Sequence, residues 1–236
     1  CLHHAGQTAM PTLRPASREG PLRLSYAQEG LWFMERLGGG TTAYSIPFAY
    51  RIEGALDAGV LTRSLNEIVR RHEALRTTFV EGADGPVQKI SPQLTVEVGR
   101  RDLSRLPIDQ REPEVRRQMA EESRRPFDLR EGPLVRFVLF RLSATEHVLV
   151  FVVHHVVFDG WSEGVFFREL NELYASFSCG RPSPLAEPEW QYVDYASWQR
   201  EHVQGERLEA ELEYWMGQLE GAPALLELPT DRPRPA

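Results

Sequence analysis

The stretch Val148–Val153, reading VLVFVV, constrains this chain more than any other. It is short, unbroken, and made of β-branched and aromatic residues. That pattern predicts a strand with both faces covered. Titratable groups follow at once. His154 and His155 come first, then Asp159 and Gly160, and an amphipathic helix begins near Ser162. A central strand that ends in titratable groups, turns on a glycine and feeds a helix is a common way to build an α/β site.

The spacing has chemical content. Adjacent strand residues point to opposite faces, so His154 and His155 cannot share one task. One packs inward and the other can face a cleft. An imidazole is the side chain best suited to exchange a proton near neutral pH. Asp159 can cap the following helix or pair with an arginine. Gly160 permits a positive φ or a close backbone approach. A metal centre is not expected. The two histidines diverge, and no Cys or His cluster supplies further ligands.

The other elements follow from periodicity. Ser25–Leu37 predicts a helix, with Leu24, Gln28, Leu31, Trp32 and Met34 on one side and the glycines from Gly38 to Gly40 ending it. Trp32 and Phe33 are expected in the core. Phe48–Ile52 predicts a strand, and Leu56–Arg71 a helix with Leu61, Leu65, Ile68 and Val69 inside. Leu75–Val80, Val87–Ile90 and Leu94–Val98 read as strands, and Gln110–Arg124 as an exposed helix. Val135–Leu142 should form a hairpin with His147–Val153. Val165–Phe177, Tyr192–His202 and Leu208–Leu219 read as helices. Tyr192, Tyr195 and Trp198 are expected to dock the second of these. Strands interleaved with helices give an α/β sandwich with a mixed sheet.

Composition excludes several classes. A net charge of −7 over 236 residues argues against a general nucleic-acid binder. No apolar run approaches membrane-spanning length. Two cysteines, Cys1 and Cys179, make no disulfide framework, so a cytoplasmic protein is expected. His3 and His4 lie in a stretch without periodicity.

Four stretches then point to one family. His154–Gly160 resembles the HHxxxDG motif of nonribosomal peptide synthetase condensation domains. Ser25–Phe33 resembles their SxAQxxLWF, Arg71–Phe79 their RHExLRTxF, and Tyr192–Gln199 their YxDYAxWQ, all in the family's order. The resemblance implies a chloramphenicol acetyltransferase-like two-layer sandwich, with a mixed β-sheet flanked by helices. It implies a linker over 1–20, an N-terminal lobe over 21–180, and over 181–236 a crossover with the first helices leading into a C-terminal lobe absent from this chain. The Pro-rich ends fit a cut from a longer modular chain, and the fragment alone is expected to be inactive.

The implied chemistry is amide formation. A carrier-bound aminoacyl amine attacks a carrier-bound acyl or peptidyl thioester. His155 is the implied catalytic residue, with His154, Asp159 and Gly160 in support. Asp159 would pair with Arg76, or failing that Arg71. Backbone N–H groups at the Gly160 turn would stabilise the developing oxyanion. Phe158 and Trp161 are candidates to line the channel. Trp161–Ser162 after Asp-Gly resembles the subclass that joins an L donor to an L acceptor, with Phe158 as a departure from it. No cofactor is held tightly; substrates would arrive on 4'-phosphopantetheine arms. Implied partners are the donor and acceptor carrier proteins, an adjacent adenylation domain and the second lobe. The alternatives are an epimerisation-type relative and a non-catalytic, partner-recruiting domain of the same fold. Such recruiting domains tend to lose motif residues, which His155 and Gly160 retain.

Overall fold

The computed structural model describes residues 11–38, 42–223, 225, 229, 231 and 232. Cys1, His3, His4, Gly39 and Gly40 lie outside them. One compact unit ends at Arg200 and a second begins at Glu201.

The first unit is built around the apolar run. Strand β7 (Glu146–His154) is buried from His147 to His154. It is an interior strand of a four-stranded mixed sheet. On one side it pairs antiparallel with β2 (Ser45–Glu53), nine residues in register from Ser45↔His154 to Glu53↔Glu146. On the other it forms the expected hairpin with β6 (Val135–Arg141). β6 in turn runs parallel to β5 (Val98–Asp102). A separate antiparallel sheet orders β1 (Leu22–Arg23), β4 (Gly85–Ile90) and β3 (Thr77–Gly82) as β1-β4-β3. The flanking helices are α1 (Tyr26–Gly38), α2 (Ala58–Arg71), α3 (Ile108–Ser123), α4 (Gly160–Ser178) and α5 (Tyr192–His202). The expected fold class holds, with two sheets rather than one.

α4 covers the sheet face that carries Phe137 and Phe151. The Phe166 ring lies 4.9 Å from Phe151 and 6.2 Å from Phe137. α2 buries Leu61, Leu65, Ile68 and Val69, the four residues expected, and Asp57 caps it by accepting from the Gly59 and Val60 N–H groups. Residues 11–20 form no helix or strand, yet they are tied down. Ala16 N–H and the Arg18 guanidinium both donate to Asp194, at 2.8 and 2.6 Å.

Four expectations are corrected. The strand at Leu94–Val98 starts only at Val98, because Asn66 of α2 acts as a strand neighbour to Val96. Its Oδ1 accepts the Val96 N–H at 2.8 Å and its Nδ2 donates to the Val96 carbonyl at 3.1 Å. The strand from Leu75 starts at Thr77, after a 3-10 turn over Glu73–Arg76. α1 buries Gln28 and Glu35, whereas Met34 is exposed and Phe33 is 55% exposed. The polar pair faces inward because the strand end it covers carries polar groups. Tyr195 is exposed, whereas Tyr192 and Trp198 dock α5 through Ser25 Oγ at 3.0 Å and the Pro11 carbonyl at 2.9 Å, and α5 buries Val193, Asp194 and Ala196.

In the second unit, α6 (Gly205–Leu219) has no buried residue. Among the described residues no helix is long and apolar enough to cross a membrane.

Candidate active site

β2 and β6 hold the end of β7 from both sides. His154 N–H donates to the Leu134 carbonyl at 3.0 Å, and His155 N–H to the Tyr44 carbonyl at 2.9 Å. The chain then turns, with Val157 N–H on the His154 carbonyl at 3.1 Å. This clamps two adjacent imidazoles with opposite outlooks.

His154 is 1% exposed. Its Nδ1 accepts the Val156 N–H at 3.0 Å, so the ring proton sits on Nε2, 3.2 Å from the Glu35 carboxylate. Burial holds its pKa below the ordinary imidazole value, although the Glu35 carboxylate pulls the other way. Gln28 adds a bond from Nε2 to the Val156 carbonyl at 3.3 Å. The two buried polar residues of α1 thus hold the histidine turn.

His155 is exposed. Its Nδ1 lies 2.9 Å from the Phe158 carbonyl. A carbonyl can only accept, so Nδ1 carries the proton. Nε2 is then the ring nitrogen that keeps its lone pair. The residue borders a cavity of about 230 Å³ together with Gln28, Leu31, Asp159, Ser162 and Tyr192.

Asp159 does not meet an arginine. It is the N-cap of α4, accepting from Ser162 N at 2.9 Å and from Ser162 Oγ at 2.6 Å. Ser162 Oγ in turn accepts the Asp159 N–H at 3.3 Å, closing a capping box. Burial alone would raise its pKa. The bonds from Ser162 and Trp161, with His155 nearby, instead hold it below the usual carboxylate value. The N–H groups of Trp161 and Ser162 are therefore taken up by Asp159. Losing an N-cap costs about 1 kcal/mol. Asp159→Ala is expected to lower stability by that amount and Asp159→Asn to restore it, read by chemical denaturation.

The arginines have other partners. Arg71 binds Glu169 of α4 through Nε and Nη2, at 3.1 and 3.3 Å, and His72 Nε2 lies 2.9 Å from the same carboxylate. Arg76 donates to the Ser91 carbonyl and lies 3.7 Å from Glu73. Burial would raise the Glu169 pKa, but His72 and Arg71 hold it down to about 2. Sequence reasoning missed Glu169. The signal was available, because a lone acid interrupts the apolar stripe of Phe166, Leu170 and Leu173.

Gly160 adopts no positive φ, and a Cβ built on it would meet nothing within 4 Å. The freedom inferred from its being glycine is not used by the fold. Gly160→Ala is expected to melt at the parent temperature or slightly above it, since such a change restricts the unfolded chain. Thermal unfolding reads this directly.

Phe158 is buried. Its ring packs edge-on against Phe48 and Phe151, at 5.7 and 5.8 Å, while its carbonyl serves His155. Trp161 stands 86% exposed. Among the described residues no group of three His, Cys, Asp or Glu side chains is placed to hold a metal ion.

Comparison with known proteins bears on this geometry. A family model described as "Condensation domain" matches residues 18–236. Chondramide synthase of Chondromyces crocatus is 46% identical over 231 residues, 98% of this chain and 6% of that protein. Malpinin synthetase of Mortierella alpina is 44% identical over 230 residues, 98% of this chain and 3% of that protein. The chain thus spans a small part of the curated relatives it matches. Among solved structures, the X-domain of teicoplanin biosynthesis in complex with OxyB superposes with a TM-score of 0.83 at 31% identity, over 98% of this chain and 50% of that one. The first condensation domain of the calcium-dependent antibiotic synthetase, bound to a substrate analogue, gives 0.79 at 27% identity, over 87% and 48%.

Proposed function

The chain belongs to the condensation-domain family of nonribosomal peptide synthetases, and from that premise we propose that it contributes the histidine half of an amide-forming site. The observation that carries this reading is the state of His155. It is exposed, its Nδ1 proton is committed to the Phe158 carbonyl, and its Nε2 is left basic beside a cavity. The acceptor amine attacks the donor thioester carbonyl. Nε2 takes or orients the amine proton, the C–N bond forms and the C–S bond breaks. The proton leaves with the sulfur as a free thiol. A thioester is already activated, so alignment of two substrates supplies much of the rate.

On this reading 4'-phosphopantetheine arms carry both substrates, and donor and acceptor carrier proteins and a neighbouring adenylation domain are the partners. Residues 21–180 form the N-terminal lobe, 181–236 lead toward a second lobe that completes the cleft, and the chain alone is inactive. Trp161–Ser162 supports an L donor joined to an L acceptor. Cys1 and Cys179 make no disulfide framework, which fits the cytoplasm. A partner-recruiting role is the second reading, because the X-domain structure holds OxyB at similar overall likeness.

The test is incubation of the full-length protein with donor- and acceptor-loaded carriers, followed by mass spectrometry of both arms. The expected result is the donor mass added to the acceptor arm and a free thiol left on the donor arm. No transfer, with both carriers loaded, overturns the amide-forming reading and favours recruitment. In the same assay run in D2O, solvent deuterium taken up at the donor α-carbon without transfer favours epimerisation.

A further inference from the structure

A second cavity, of about 370 Å³, lies between the start of α4, the 3-10 turn at Ala74–Leu75 and the segment Trp190–Tyr192. It shares Val157, Phe158, Ser162 and Tyr192 with the smaller cavity that His155 borders. The two spaces are therefore separated by little more than one layer of side chains. Most of its wall is apolar, including Ile68, Leu75, Val165, Phe166 and the exposed Trp161.

The side chains of His72, Gln191, Ser162 and Tyr192 on that wall already have partners. His72 holds Glu169. Gln191 accepts the Glu73 N–H and donates to the Arg71 carbonyl. Ser162 is closed in the capping box, and the Tyr192 hydroxyl lies 3.0 Å from Ser25 Oγ. A polar or charged ligand would find these partners taken, whereas an apolar one needs none. The volume sits at the low end of the ~300–1,000 Å³ of small-molecule sites. It suits one side chain rather than a whole substrate. An exposed tryptophan at the rim is apolar surface that such a group would cover.

We infer that this cavity holds the apolar or aromatic side chain of a carrier-bound substrate and so selects which residue is joined at His155. The inference rests on the amide-forming reading. It predicts that filling the cavity changes discrimination. Ala74→Phe and Val165→Phe fill it from two different elements, both at half-buried positions. Trp161→Ala removes the rim. Each is assayed in the full-length protein with glycyl, alanyl, leucyl and phenylalanyl carriers. One series varies the donor and the other varies the acceptor.

The expected result is a fall of at least ~tenfold in the leucyl-to-glycyl and phenylalanyl-to-glycyl rate ratios, a size that pocket changes of this kind produce. The fall should appear in one series, which identifies the substrate concerned. Folded variants that slow all four residues by the same factor, or slow none, overturn the inference while amide formation itself stands. A parent protein that joins no pair at all overturns the amide-forming reading and this inference with it.

Discussion

His155→Ala is expected to lower amide formation by the full-length protein by about 10²–10⁴-fold, the usual worth of a positioned acid–base group, and to leave its stability near that of the parent. The second half follows from exposure. The His155 ring is at the surface, and its bond to the Phe158 carbonyl is one that water can replace. His154→Ala provides the contrast. It removes a buried ring that answers both the Glu35 carboxylate and the Val156 N–H, so its expected effect is on folding first. Rates of product release and thermal melts on the same two variants separate the roles. Normal elongation by folded His155→Ala would count against assigning it the proton transfer.

Glu169→Ala is expected to cost about 3–5 kcal/mol, the range for removing one partner of a buried ion pair. Arg71 is buried, and without Glu169 its Nε and Nη2 lose their carboxylate between α2 and α4. Replacing both residues together, Arg71→Met with Glu169→Leu, should recover much of the loss, since the uncompensated charge is gone. The pH dependence has a definite sign. A carboxyl held at about 2 against an ordinary 4.5 contributes stability that is complete above pH 4.5 and is lost as the pH falls toward 2. The loss is bounded by about 3 kcal/mol. Glu169→Gln should therefore flatten the acid limb of the stability curve between those values. Equal acid limbs in parent and variant, measured by denaturant titration at each pH, would show that the clamp contributes nothing.

The Arg71–Glu169 pair also explains where the family motif had pointed elsewhere. Arg71 and Arg76 were expected to answer Asp159, yet the first closes on Glu169 and the second on backbone and Glu73. Asp159 is satisfied within its own helix turn. A capping box is a local device, spanning four residues, and it wins when no distant cation reaches the same oxygen. The competing pairing depended on the 3-10 turn after α2 lying beside the start of α4, which no spacing in the chain specifies.

What the residues settled alone was local and periodic. Six apolar positions in a row demanded a two-sided strand, alternation demanded that His154 and His155 part ways, and the stripe on α2 demanded one buried face. Only the tertiary structure decided which surfaces those elements meet. It set β2 along the free edge of β7, turned Gln28 and Glu35 of α1 inward onto the histidine turn, and let Asn66 stand in for a strand at Val96. The reason is physical: a period follows from the geometry of one backbone, while the partner of a buried polar group follows from satisfying every donor and acceptor across the packed whole.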